Sequence, residues 1–182
     1  MEHFDLLDPS GKPTGKIKSH ADAHRDGDWH RVVCTWIINP KQEILIQKRG
    51  PNMKDSPNKW DYSVAGHISA GENSLQALLK ECSEEIGIKI DPKNIEFLFN
   101  TKRQVILNNG THIINHFNDI YLITMDLDST KIRIQPEEVA ETRFVHYKEL
   151  EKMIKNKTLD FVDHEEEYAK FFALLHQRYN QS

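Results

Sequence analysis

The stretch from His30 to Ile38, His-Arg-Val-Val-Cys-Thr-Trp-Ile-Ile, has the β-branched and aromatic character of a buried strand. Glu43 to Lys48 alternates apolar and polar residues as its hairpin partner across Asn39-Pro40-Lys41-Gln42, and the two begin a core sheet. Residues 3–8 read as a short strand, and the Pro-Ser-Gly-Lys-Pro-Thr-Gly turn region that follows leads into a small hairpin. A histidine-rich segment comes next, and after the hairpin a polar stretch, Arg49 to Lys59, precedes a strand over Trp60 to Ala65. Ile95 to Leu107 and Ile113 to Met125 read as two long strands joined through Asn108-Asn109-Gly110, residue types that tolerate positive φ. A further strand is predicted at Thr142 to Tyr147.

Two segments switch to helical spacing. From Gly71 the apolar residues Leu75, Leu78, Leu79, Cys82 and Ile86 form one stripe, with Asn73 or Ser74 as N-cap and Gly87 as the stop. The tail after Lys148 has the same period, and a final helix over about 161–178 would bury Phe161, Tyr168, Phe171, Phe172, Leu174 and Leu175. No internal repeat or low-complexity tract interrupts the chain. The pattern predicts an α/β (α+β) fold, a mixed sheet with helices packed on its faces.

Length and charge narrow the picture. A chain of 182 residues can bury a full core as one domain over 1–182, including an N-terminal strand and loop region at 1–29, and nothing in it marks a linker. Lys plus Arg number 24 against 28 Asp plus Glu, a formal charge of -4, which argues against nucleic-acid polymers and membrane surfaces as partners. Cys34 and Cys82 stand alone in apolar patterns, as buried reduced thiols do, and this fits a cytoplasmic location. The N-terminus lacks the basic start and apolar run of a signal peptide, and no segment is long enough to span a bilayer. The sequence leaves the oligomeric state open, a homodimer included.

The chemistry concentrates on the first helix. Glu81, Glu84 and Glu85 lie one turn apart on a face away from the apolar stripe, and like charges at that spacing repel. The cluster is therefore either a solvated face or a holder of hard divalent cations. Its spacing favours the second reading. Gly66, five residues, Glu72, seven residues, Lys80-Glu81, apolar Cys82, one residue, Glu84-Glu85, one residue, then Gly87 and Ile88 resembles the Nudix box, with Lys80 in place of the pattern's arginine. An ammonium is a point charge without the guanidinium's rigid fork, so Lys80 should grip Glu72 or Glu84 less tightly.

The resemblance implies a Nudix-type α/β/α sandwich and a MutT-like pyrophosphatase, a hydrolase acting on phosphoric anhydride bonds with Mg2+ or Mn2+. By that likeness Glu81, Glu84 and Glu85 are catalytic metal ligands, joined by a backbone carbonyl near Ala65 or Gly66, with Glu72, Lys80 and Gly66 in support behind them. Glu138, with its neighbour Glu137, occupies the loop where many Nudix enzymes place another ligand or base. Arg49, Lys54 and His67 are expected to meet a small-molecule diphosphate substrate, in the first instance a nucleoside diphosphate derivative. Gly66 and Gly71 suit either a loop that passes close to metal and phosphate or an ordinary turn.

The histidines point to one branch. His24, His30 and His67, in Ser-His-Ala-Asp-Ala-His-Arg-Asp-Gly-Asp-Trp-His and Val-Ala-Gly-His-Ile, resemble the branch related to isopentenyl diphosphate isomerase, in which comparable histidines help bind a metal. His24 and His30 are thereby candidates for additional metal or substrate contacts. That isomerase moves a proton with a cysteine where this chain has Ala65, and alanine cannot do so. On the later strand that carries the isomerase's acidic ligands, this chain offers His116 and Asn118. Two alternatives to the hydrolase thus stand: an isomerase-like enzyme, disfavoured by Ala65, and a non-catalytic nucleotide-binding domain, encouraged by Lys80 and His116.

Overall fold

The computed structural model describes residues 2–180, so Met1, Gln181 and Ser182 lie outside the described residues. Strands β1 (His3–Leu7) and β2 (Pro13–Ser19) form the small N-terminal hairpin, followed by helix α1 (His20–Asp26). Strands β3 (His30–Ile38), β4 (Glu43–Arg49), β5 (Trp60–Asp61), β6 (Val64–His67), β7 (Ile95–Leu107), β8 (His112–Thr124) and β9 (Val139–His146) build one mixed sheet. Its path is β5-β4-β3-β8-β7, with β6 on β3 and β9 on β4; β3 and β8 run parallel, and the other pairs are antiparallel. Helix α2 (Ser74–Glu85) covers one face, while α3 (Tyr147–Lys155) and α4 (Glu165–Tyr179) cover the other.

The period of two along β3 explains the layers. Val32, Cys34, Trp36 and Ile38 point to the α3/α4 side and join Ile44, Ile46, Leu150 and Phe171, whereas Val33 and Ile37 point to α2 and join Leu45, Leu78, Cys82 and Ile86. Trp36 stacks on Phe171 with ring centroids 4.8 Å apart. The result is the expected α/β/α sandwich, and Cys34 and Cys82 are both buried and unbridged within it. Among the described residues no helix is long and apolar enough to cross a membrane.

One irregularity shapes the site. β3 pairs with β6 over Val32 to Thr35 but with β4 only at Ile37 and Ile38, so its partners part company midway. Buried Ser63 stitches the wedge: its hydroxyl donates to the Leu45 carbonyl and accepts from the Ile37 amide at 2.7 Å, while its own amide donates to the Thr35 carbonyl. The segment expected as one strand over Trp60 to Ala65 is consequently broken, β5 staying with β4 and β6 crossing to β3.

Other expectations need correction. The histidine-rich segment contains α1, a two-turn helix capped by the Ser19 hydroxyl at its start and by Gly27 at its end. Its seven residues are too few for a helical period to stand out in the sequence. The C-terminal segment holds two helices, and Phe161 lies outside both, bridged to Trp60. Leu174 is exposed, whereas Tyr168, Phe171, Phe172 and Leu175 are buried as the pattern predicts. On α2, Leu75 is 37% exposed, because the buried face is turned toward Ala77, Leu78, Glu81, Cys82 and Glu85.

Candidate active site

A cleft of about 490 Å³ opens between α2, β4, β6, β8 and the loops at 50–55 and 135–138. Asn73 caps α2 by accepting from the Gln76 amide at 3.0 Å, and Gln76 answers by accepting from the Asn73 amide at 3.0 Å, which fixes where the helix begins. From that start the helix carries Glu81 and Glu85 inward and leaves Glu84 exposed at the rim. All three carboxylates line the cleft.

Glu81 lies on Gly66. A Cβ built at residue 66 would collide with Cγ and Cδ of Glu81, so only glycine lets β6 approach this closely. Gly71, by contrast, has φ +80° and open space around it, and its need is that of a turn. Glu85 is 3% exposed, and its Oε2 accepts from Gln47 Nε2 at 3.1 Å and from the Ala65 amide at 3.3 Å. Burial pushes the Glu81 carboxyl up to about 8, with Lys80 opposing and Glu84 and Glu138 adding to the rise. Burial also drives Glu85 well above the ordinary carboxylate range, and the charges of Glu81 and Glu138 push it further. Burial and neighbouring acids therefore oppose ionisation of these two carboxyls more than Lys80 favours it.

Lys80 is the near cation, its Nζ 4.0 Å from Glu81 Oε1. Burial lowers its pKa, but Glu81, Glu84, Glu72 and Glu2 together raise it. Glu72 sits away from the cleft lining with a buried, unpartnered Oε2. Of the two loop acids, Glu138 lines the cleft and Glu137 does not. The cause is a close approach of backbones: the Gly50 amide donates to the Glu138 carbonyl at 2.6 Å, and a Cβ at Gly50 would lie 2.8 Å from the Glu137 carbonyl oxygen.

Arg49 lies deeper, its Nη1 3.2 Å from Asp61 Oδ2 and its Nε donating to the Asp55 carbonyl at 3.1 Å. Burial alone would raise the Asp61 pKa, but His164 and Arg49 hold it below the ordinary value. Lys54 is exposed at the rim, and Arg103, paired with Asp55 at 3.0 Å, adds a second guanidinium to the wall. Sequence reasoning missed Gln47, Asp61 and Arg103. Gln47, a polar residue at a buried position of β4, was the one legible signal.

His67, expected to contact substrate, lines the same cleft as the carboxylates. Its Nε2 lies 3.4 Å from Nε2 of His24, and with His30 and His116 these rings present nitrogen atoms all within 4.8 Å of one another. Ala65 pairs across β3 and β6 with buried Cys34, whose thiol is pushed well up by burial.

The family model for the NUDIX domain matches residues 28–169. Nudix hydrolase 3 of Arabidopsis thaliana is 37% identical over 97% of this chain, which spans 24% of that relative's length. A Nudix hydrolase of Listeria monocytogenes is 37% identical over 83% of both chains. An isopentenyl-diphosphate Delta-isomerase of Escherichia coli is 34% identical over half of each chain. In fold, the crystal structure of DR0079 from Deinococcus radiodurans superposes with a TM-score of 0.69 at 22% identity, covering 93% of this chain and 98% of that one. The family model over residues 28–169 and the Listeria relative place the chain in the Nudix superfamily, with the isomerase as a more partial relative.

Proposed function

We propose that this chain hydrolyses the diphosphate linkage of a small substrate, a nucleoside diphosphate derivative, with Mg2+ or Mn2+ held by Glu81, Glu84 and Glu85. Nudix enzymes in general use divalent metal ions. The observation that carries the reading is the buried pair Glu81, packed against Gly66, and Glu85, held by Gln47 and the Ala65 amide, with exposed Glu84 lining the same cleft. Carboxylates forced upward by burial and mutual repulsion fit a hard divalent cation, which restores the charged state that burial opposes. When bound, such an ion neutralises phosphate charge and acidifies a water ligand.

The chain's own residues do the rest. Gln47 and the Ala65 amide hold Glu85 in one orientation, and Gly66 leaves Glu81 its place. Arg49, Arg103, Lys54 and Lys80 surround the cleft with cations suited to phosphate oxygens. Glu138 faces the same space and is positioned to take the proton of the attacking water, whose oxygen bonds to phosphorus as the bridging P–O bond breaks. Glu72 and Lys80 steady the helix face.

The test offers purified protein nucleoside diphosphates, triphosphates, sugar nucleotides, dinucleoside polyphosphates and isopentenyl diphosphate, with and without metal, beside a Glu84→Gln, Glu85→Gln variant. Metal-dependent cleavage of an anhydride substrate, lost in the variant, supports the proposal. Full activity of the variant refutes the metal site. Isomerisation of isopentenyl diphosphate, or saturable nucleotide binding without turnover under any metal, refutes the hydrolytic reading.

A further inference from the structure

The loop at 50–59 between β4 and β5 forms one bank of the cleft, and Asn52, Met53, Lys54 and Asp55 line it from there. Backbone pairs close its ends: the Arg49 amide donates to the Lys59 carbonyl at 2.8 Å, and the Asn58 amide donates to the Arg49 carbonyl at 3.2 Å. Asp55 ties its middle to the sheet. The Asp55 carbonyl accepts from Arg49 Nε at 3.1 Å, and Asp55 Oδ2 accepts from Arg103 Nη1 at 3.0 Å. Ser56 turns the chain at φ +47°, and its hydroxyl donates to Asp55 Oδ1 at 2.8 Å. One residue thus holds a guanidinium of β4 with its main chain and a guanidinium of β7 with its side chain.

Neither arginine is a free surface cation. The side chains of Arg49 and Arg103 are 15% and 14% exposed, and that of Asp55 is 17% exposed. Burial raises the Asp55 carboxyl, but Arg103, Ser56 and Arg49 hold it below its ordinary value, so the pair is charged at neutral pH. Arg49 is fixed on a second edge by Asp61 Oδ2 at 3.2 Å. A guanidinium carries five N–H donors in one rigid plane, and these contacts engage two on Arg49 and one on Arg103. Both forks therefore keep donors for the oxygens of a ligand, and the buried Nε of Arg103 has no partner within the protein. Lys54, next to Asp55 in the chain, brings a third cation to the rim. Three cations against the carboxylates of Asp55 and Asp61 leave this bank net positive.

We propose that Asp55 is a positioning residue that joins Arg49 and Arg103 into a two-armed clamp for the phosphate oxygens of the diphosphate group. The inference rests on the diphosphate reading of the cleft and adds to it a residue that acts through two others. An unpaired arginine loses side-chain freedom when an anion orders it, whereas a fork already fixed loses little. The carboxylate therefore strengthens anion binding although its own charge opposes it. A carboxylate that merely occupied Arg103 in the ligand's place would have the opposite effect.

The test measures binding of methylenediphosphonate, a diphosphate analogue that resists hydrolysis, by titration calorimetry with Mg2+ present. Asp55→Asn removes the charge that holds Arg103 and leaves the carbonyl that holds Arg49. It should weaken binding about 10-fold, as should Arg103→Gln. The double variant should bind no more weakly than Arg103→Gln alone, because the carboxylate acts through that fork. On a substrate that wild type cleaves, the loss in Asp55→Asn should fall on KM with kcat retained. Should Asp55→Asn not fold, Arg103→Lys decides, since it keeps the charge and gives up the fork: binding weaker by about 10-fold supports the clamp, and unchanged binding overturns it. Tighter or unchanged binding in folded Asp55→Asn overturns the proposal, as do losses that multiply in the double variant, a loss confined to kcat, or failure of wild type to bind the diphosphonate. Binding that depends on Asp55 and Arg103 without hydrolysis of any substrate would leave the clamp standing and refute the hydrolytic reading. Hydrolysis with binding indifferent to Asp55 would do the reverse.

Discussion

Replacing Glu81 by glutamine should stabilise the metal-free protein while removing a proposed metal ligand. The carboxyl of Glu81 rises from an ordinary 4.5 to about 8, first through burial. Because the folded value is the higher one, the native state binds more protons than the unfolded chain between those limits, and stability falls as pH rises through that window. At roughly 1.4 kcal/mol for each pH unit, the full penalty above pH 8 is on the order of 5 kcal/mol. Glutamine keeps the shape and removes the charge. It also relieves Glu85, whose carboxyl is raised in part by Glu81. The assay is urea unfolding of wild type and Glu81→Gln in chelator at pH 5 and pH 8, read as the difference between the proteins so that other titrating groups cancel. The two should be close at pH 5, and the variant should be more stable by a few kcal/mol at pH 8. Mg2+ should stabilise wild type and not the variant. A variant equally or less stable at pH 8 would refute the claim that burial opposes ionisation of these carboxyls.

Three further outcomes follow from the geometry. Gly66→Ala forces Glu81 aside, and a displacement on the ångström scale should lower kcat/KM about 100-fold with the fold intact by circular dichroism. Asn73→Ala removes the side chain that anchors the capping box of α2 and should cost about 1 kcal/mol in chemical denaturation. In metal-free protein, burial lowers His24 to about 4 and His30 to about 3, so their contribution is present above pH 6.5 and is lost as pH falls through those values. Stability should therefore drop steeply below pH 6.5, and His30→Asn should flatten the slope; an unchanged slope contradicts the assignment.

What the sequence disclosed depended on range. β3 and β7 were legible to the residue because continuous apolar or alternating runs are set locally, and the ends of α2 were legible to within a residue, Asn73 being the N-cap of the two candidates Asn73 and Ser74 and Gly87 following the C-cap Ile86. The orientation of α2 was not legible. Hydrophobicity turned Leu75 inward and the glutamates outward, whereas the approach of Gly66 to Glu81 turns the carboxylate edge into the sheet. The break between β5 and β6 depends on Ser63 bonding to two strands far away in sequence. His116 was raised from the sequence only by likeness to the isomerase's ligand strand, and its place opposite His30 comes from the parallel pairing of β3 with β8, which is long-range information.

The central claim is that the carboxylates of α2 serve hydrolysis of a diphosphate linkage. It is tested most directly by running the reaction in oxygen-18 water with Mg2+ and weighing the products by mass spectrometry. The account predicts one labelled oxygen in a phosphoryl product for each bond cleaved, and no product from the Glu84→Gln, Glu85→Gln variant. Unlabelled products, or a labelled product formed at the wild-type rate by that variant, would contradict it.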